Sequence, residues 1–364
     1  MKKKRLIPAI RLLMCAFVCL WLVMPVYSQT IVAARLESGK HYPCNSTPEK
    51  IVIDGKLDDK AWQQVPWSKE FQDIEGDRKP KPTYRTRVKM LWDNEALYIA
   101  AELEEPNVWA NLKKHDSVIF HDNDFEVFID PDGDCQNYAE LELNAHNTTW
   151  DLLLTKPYRA SGKAINGWEI TGLQTAVHVN GTLNNPTDID KGWTIEIRWP
   201  WASLKEISNQ AFPPKKGDHL WINFSRVQWD TVVKDGKTTK IAGKPEHNWV
   251  WSPQGVIDMH RPERWGFITF DDHSKVDELC NISSARFYAG FIFNQQFDYR
   301  TKHNKYASNF EDLRMGGHQL GELAKTELGF ESLFTRGKLT SFINNNYHLR
   351  VLPATVKPNK KQLK

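Results

Sequence analysis

Three carboxylates stand at alternate positions of two neighbouring stretches: Glu126 in DFEVFID (124–130), and Glu140 and Glu142 in YAELELN (138–144), with the aromatic Phe120 just ahead of them. Ionised carboxyls accept hydrogen bonds from hydroxyl groups, and an aromatic ring beside them offers an apolar face, so the combination suits a polyol. Paired acids also equip a glycoside hydrolase, one carboxyl acting as general acid and the other as base or nucleophile. A second acidic group suggests hard-cation ligation. HDND at 121–124 and DPDGD at 130–134 supply Asp122, Asp124, Asp130 and Asp132 as candidate calcium ligands. DPDGD departs from an EF-hand loop, because Cys135 stands where glycine is needed and Leu141 where the closing Glu belongs, and a turn between two strands accounts for it as well. His115, His121, His146, His247 and His260 are scattered, and surface or packing roles are expected for each. No nucleophile elbow, glycine-rich phosphate loop or zinc-binding His-x-x-x-His pattern is present.

The elements that must position these residues are strands. From residue 51 to 270 the dominant hydrophobic period is two. RTRVKMLWD (85–93) turns at Asp93-Asn94 into LYIAAEL (97–103), a hairpin. In DFEVFID the residues Phe125, Val127 and Ile129 alternate with Glu126, Phe128 and Asp130, and in YAELELN the residues Leu141 and Leu143 alternate with Glu140, Glu142 and Asn144. This alternation by itself puts the acids on the solvent side of half-buried strands. WDLLL (150–154) follows a turn, GWTIEIRWPW (192–201) puts Trp193, Ile195, Ile197 and Trp199 on one face, and LWINFSRVQW (220–229) and WGFITF (265–270) read as the last strands. WASLKEI (201–207) reads as a short helix. Short strands at regular spacing, without βα alternation, predict an all-β antiparallel sandwich, jelly-roll-like. Beyond about Asp277 the period lengthens, predicting a helix over about 283–302 followed by strand-like runs, so that residues 277–364 form a small helix-plus-hairpin α+β appendage.

Taken in order, IDGKLDDKAW, VKMLWDNEALYIAAEL, DNDFEVFIDP, YAELELNAHNTTWD, GWTIEIRWPW and WSPQG…HRPERWGFITF resemble carbohydrate-binding module family 9 and its relatives over about residues 45–271. The resemblance implies a secreted β-sandwich that grips sugar and in many cases carries structural calcium. In sugar-binding members two Trp side chains clamp a terminal sugar while a Glu, an Arg and an amide bond its hydroxyls. The family's Glu matches Glu126, its first Trp matches Phe120, its second clamp falls near Met259 and His260, and its Arg position is occupied by Glu142. The clamp is thus only partly present. The expected carbohydrate site is Phe120, Glu126 and Glu142 with the later loop's Trp251, His260 and Arg261, one Trp of that loop stacking on the sugar and Arg261 fixing hydroxyls. A ligand-less sandwich that presents a protein-binding face is the competing reading, and a glycosidase is the third.

Lys2 to Arg5, the apolar run from Leu12 to Val23 and the small Ser28 form the pattern of a secretory signal peptide over residues 1–28, too short for a comfortable membrane span. A mature sandwich domain over 29–276, exported to the periplasm or cell exterior, is expected. Lipoprotein processing at Cys15 or Cys19 is the lesser alternative, since Met14 and Val18 are bulky. The formal charge of +3 becomes −2 once the five basic residues of the signal are removed, which excludes a nucleic-acid binder by composition. The basic run Lys357 to Lys364 reads as a frayed tail. Cys44, Cys135 and Cys280 remain in a compartment that permits disulfides, and Cys44 with Cys280 is the pair that adjacent first and last strands would bring near. The 15 Trp fit either sandwich cores or sugar stacking.

Overall fold

A computed structural model describes residues 38–315 and 321–355. The expected signal segment with Cys15 and Cys19, and the Lys357–Lys364 run, lie outside the described residues. The chain runs through β1 (His41–Ser46), α1 (Lys60–Gln63), β2 (Gln72–Asp73), β3 (Thr86–Trp92) and β4 (Ala96–Glu104). There follow β5 (Asp124–Asp130), β6 (Tyr138–Asn144), β7 (Thr149–Leu154), β8 (Ala164–Ile165), β9 (Gln174–Asn180), β10 (Gly192–Pro200) and α2 (Trp201–Glu206). The sandwich closes with β11 (His219–Gln228), β12 (Thr231–Lys234), β13 (Lys237–Lys240), β14 (His247–Val250) and β15 (Gly266–Phe270).

One layer has the order β8-β7-β6-β5-β11-β15-β1 and the other β1-β3-β4-β10-β9. β1 joins them: His41 to Cys44 run parallel to β15, and Asn45 and Ser46 parallel to β3. The alternation read from the sequence sets the core. Phe125, Val127 and Ile129 of β5, with Leu141 and Leu143 of β6 and Ile222 and Phe224 of β11, share one apolar cluster with Val88, Met90, Ile99, Trp193, Ile195, Ile197 and Trp199. The fold is therefore the antiparallel β-sandwich expected. Eleven of the fourteen described Trp are buried, so most of the tryptophan content serves packing.

The chain then forms α3 (Val276–His303), β16 (Glu322–Lys325), β17 (Phe330–Arg336), β18 (Leu339–Asn344) and β19 (Leu349–Pro353). The helix begins several residues ahead of the sequence expectation, with Asp277 and Glu278 in its first turn, where the helix dipole favours acids. The expected hairpin is a four-stranded meander, because KLTSFINNNYHLRV divides at the turn before Leu349 into two antiparallel strands and β16 adds a further strand beside β17. Arg286 of α3 reaches into the sandwich. Its guanidinium lies 3.2 Å from Asp130 Oδ2, donates to the carbonyls of Gly133 and Pro262, and stacks 4.2 Å from the centre of the Trp221 ring. Gly133 sits at φ 71°, and a Cβ there would lie 2.5 Å from the Trp221 ring, which is why DPDGD carries glycine at that point. No disulfide forms among the described cysteines: Cys44 faces the main core, whereas Cys280 packs in a separate cluster with Trp221 and Phe267.

Candidate functional site

β5 and β6 pair with Glu126 opposite Glu142, Phe128 opposite Glu140 and Asp124 opposite Asn144. The register that sends Phe125, Val127 and Leu141 into the core turns these acids to the outer face. That face is not open to solvent as simple alternation predicts. Met259 and Trp265 of the loop between β14 and β15 pack over it against Phe128, Tyr138, Leu152 and Val250. On the other side a short turn at Ile119–His121 closes in, with the Phe120 amide donating to Glu142 Oε2 at 3.0 Å. Glu126 and Glu140 are each 5% exposed, Glu142 2% and Asp124 0%. Asp124 Oδ1 accepts from the Val227 amide at 3.0 Å, and Oδ2 is buried without a hydrogen-bond partner.

Burial disfavours charge on each of these groups. It pushes Glu126 up to about 7. Asp124, Glu140 and Glu142 lie well above the usual carboxylate range, from burial first and then from the neighbouring charge of Glu126. Burial thus favours the protonated form throughout the cluster. A protonated carboxyl donates as well as accepts, which matches a hydroxyl group better than an acceptor-only carboxylate does.

Aromatic side chains with part of their surface free form the rim. Phe120 is half-buried, and its ring centre lies 6.5 Å from that of Trp150, whose residue pairs with Glu142 across the strands. Trp229 donates from Nε1 to the Phe120 carbonyl at 2.9 Å, and Lys240 Nζ sits 3.4 Å above the Trp229 ring. At the other end Tyr158, 49% exposed, meets the His260 ring at 4.5 Å. Tyr138 Oη bonds His260 Nδ1 at 3.0 Å, and burial holds His260 down to about 4, so it is neutral.

The structure thus brings together Phe120, Glu126, Glu142 and, at the margin, His260. Two of the expected residues sit elsewhere. Trp251 is 2% exposed and packs on Phe224 in the core, so its faces are not free to stack. Arg261 pairs with Asp258 at 3.4 Å and lines a separate cavity of about 620 Å³ between the β14–β15 loop and α3, together with Arg78, Arg159 and Arg264. Sequence reasoning missed Trp150, Trp229, Tyr158 and Lys240. The hairpin register carried a signal for Trp150, since YAELELN and WDLLL in antiparallel pairing set it beside Glu142; the others are placed by long-range folding.

The four expected cation ligands do not meet. Asp122 Oδ2 is engaged by the amides of Asn111 and Leu112 at 2.8 Å each and by Asn144 Nδ2 at 2.9 Å, so it braces a loop. Asp124 clusters with Glu126 and Glu142, whereas Asp130 clusters with Asp132 and Asp134, each trio offering oxygens within 4.8 Å of one another. The second trio already has a cation beside it, the Arg286 guanidinium. Both oxygen sets suit a hard ion by donor chemistry, and in the first Asp124 Oδ2 is buried without a hydrogen-bond partner among the described residues.

Residues 53–213 match the model of the family described as carbohydrate family 9 binding domain-like. Over this segment the sandwich is similar to that family. Among solved structures, the chain is similar to a carbohydrate binding module family 9 from Caldicellulosiruptor kristjanssonii in complex with glucose, at 16% identity and a TM-score of 0.41, covering 64% of this chain and 95% of that one. The same family-9 module in complex with cellotriose matches at 16% identity and a TM-score of 0.41, over 65% of this chain and 97% of that one. Among curated proteins none matches. The acid face described above lies on β5 and β6, inside the family-9-like segment, while β11, β14 and β15, which flank and cover it, come from chain beyond that segment.

Proposed function

We propose that the family-9-like sandwich binds carbohydrate without cleaving it, on the outer face of β5 and β6, as part of an exported system for glycan utilisation. The observation that carries this reading is the cluster of buried carboxyls at Glu126, Glu140 and Glu142, where burial favours the protonated form, beneath a rim of partly exposed aromatics, Phe120, Trp150 and Tyr158. Aromatic faces bury the C–H side of a sugar while the neutral carboxyls exchange hydrogen bonds with its hydroxyls in both directions. Export rests on the signal-like N-terminal sequence. Hydrolysis finds less support, because a glycosidase splits its two carboxyls into one protonated and one ionised across a groove, and here burial favours the proton on every member of one cluster. Contact through an open rim leaves much of the ligand solvated, so binding is weak and reversible.

A second reading is favoured by the buried, unpartnered Asp124 Oδ2: a calcium ion held by Asp124, Glu126 and Glu142, whose charge would neutralise the cluster. Tryptophan fluorescence of the full exported chain, titrated with a panel of soluble glycans in chelator and again in calcium, tests both. A saturable response in chelator that Glu126→Ala abolishes and Phe120→Ala weakens supports the carbohydrate reading. A response confined to calcium supports the second, and no response to any glycan from folded protein refutes carbohydrate binding at this face.

A further inference from the structure

On the opposite side of β7 from the acid face, three chain segments converge on one imidazole. His115 and Asp116 come from the loop before the Ile119–His121 turn, Asp151 from β7, and Glu169 from the loop after β8. His115 Nδ1 lies 3.0 Å from the carbonyl oxygen of Thr149 and 3.1 Å from its Oγ1. A carbonyl only accepts, so Nδ1 must carry the proton in that bond. Nε2 then faces acceptors alone: Glu169 Oε2 at 3.2 Å, Asp116 Oδ1 at 3.4 Å and Asp151 Oδ1 at 3.8 Å. In the neutral ring its lone pair points at three carboxylates, and that arrangement requires a cation between them, either a second proton on the ring or a metal ion.

Asp151 favours the metal, because at 3.8 Å even a protonated Nε2 leaves its inner oxygen without a hydrogen bond. Its residue is 2% exposed; Oδ2 accepts from the Ile170 amide at 2.6 Å, and Oδ1, the oxygen turned to His115, is buried with no hydrogen-bond partner. A buried oxygen left open in this way is costly unless something positive occupies the space before it. The ligand atoms of all four residues lie within 4.8 Å of one another. His115, Asp116 and Glu169 are exposed, so an ion can enter from solvent and the two surface carboxylates can close on it. Thr149, holding Nδ1, acts as the outer partner that fixes the tautomer and aims Nε2, the usual support of a metal-binding histidine.

We infer that His115, Asp116, Asp151 and Glu169 form a zinc-type site for a first-row divalent cation, distinct from the oxygen-only acid cluster on the sugar face. One imidazole with three carboxylates favours zinc over calcium, since nitrogen is a poor ligand for the harder ion. The site ties the 114–117 turn to β7 and to the segment leading into β9, and so fastens the β7–β8 edge of its layer.

The test uses the full chain, stripped with chelator, loaded with Zn²⁺ alone and desalted, with bound zinc measured by elemental analysis and by titration calorimetry. The expected result is a stoichiometric zinc ion in the native protein, a rise in unfolding temperature on loading, and loss of both in His115→Ala and in Glu169→Gln, exposed positions whose replacement leaves the fold intact by circular dichroism. Equal zinc uptake by native protein and His115→Ala overturns the inference. So does complete displacement of the zinc by an equal concentration of calcium, which would mark an oxygen site in which the imidazole takes no part.

Discussion

Glu126→Gln separates a protonated, hydroxyl-bonding acid cluster from an ordinary ionised one. Burial raises Glu126 from 4.5 to about 7 in the folded chain, while in the unfolded chain it titrates near its ordinary value. The folded state then holds the proton more tightly. Its stabilising effect is complete below the unfolded pKa and is lost as the pH rises through the folded one. The shift corresponds to about 3 kcal/mol at about 1.4 kcal/mol per unit. Most of this, about 2–3 kcal/mol, is lost between pH 5 and pH 8. Glutamine has nearly the shape of the protonated acid and cannot ionise. Relative to the native chain, Glu126→Gln should therefore gain about 2–3 kcal/mol in stability on going from pH 5 to pH 8. Urea unfolding followed by tryptophan fluorescence, in chelator at both pH values, reads this as a change in midpoint at constant slope. Glycan affinity should follow the same titration, weakening in the native chain above pH 7 and staying flat in the variant. A stability difference that is the same at both pH values, or a variant less stable than the native chain at pH 8 alone, would refute the reasoning, because either result means that Glu126 is ionised and compensated in the fold.

Phe120→Ala should weaken glycan binding by about tenfold, in keeping with about 0.5–1.5 kcal/mol for a specific aromatic contact plus lost area, with unfolding changed little; isothermal titration checks it. Trp251→Ala should act in the opposite way, costing about 3–5 kcal/mol of stability through a core cavity while leaving affinity unchanged in protein that remains folded, as chemical denaturation and titration together would show. Arg286→Met leaves Asp130 buried without its cation and should cost about 3–5 kcal/mol, read by thermal unfolding, with the loss smaller at pH 5, where Asp130, at about 6 even with its partner, keeps its proton. Glu105→Ala strands the fully buried Arg226, whose guanidinium lies 3.4 Å from it, and should destabilise by a similar amount across the neutral range.

The layers of this protein were legible because the period-two pattern is strong. Phe125, Val127 and Ile129, or Trp193 to Trp199, cannot alternate as they do and fail to make a core face. What the pattern does not contain is whether the other face is covered. The acids of β5 and β6 were read as solvent-facing, and they are buried because Met259 and Trp265, more than a hundred residues later, fold over them. The same limit explains Trp251 and Arg261: aromatic and basic residues in a loop look available for a ligand until the core and α3 take them. In the appendage, KLTSFINNNYHLRV is strand-forming throughout by composition, and the Asn-rich turn inside it divides it into β18 and β19.

The histidines show the limit in its sharpest form. His115 has no partner at metal-ligand spacing along the chain, since Asp151 and Glu169 lie far beyond it, and scattered histidines are normally surface or packing residues. Its partners are supplied by register: β7 pairs with β6 so that Trp150 points to the acid face and Asp151, one residue on, points to the opposite one. A single strand thereby contributes an aromatic rim to one site and a buried oxygen to another. Because a shift of one residue would exchange the two faces, both sites depend on the same β6–β7 pairing. A perturbation that slips this register, such as a residue inserted at the Asn147 turn, should abolish glycan binding and zinc retention together, whereas Phe120→Ala should weaken only glycan binding and His115→Ala should remove only zinc retention.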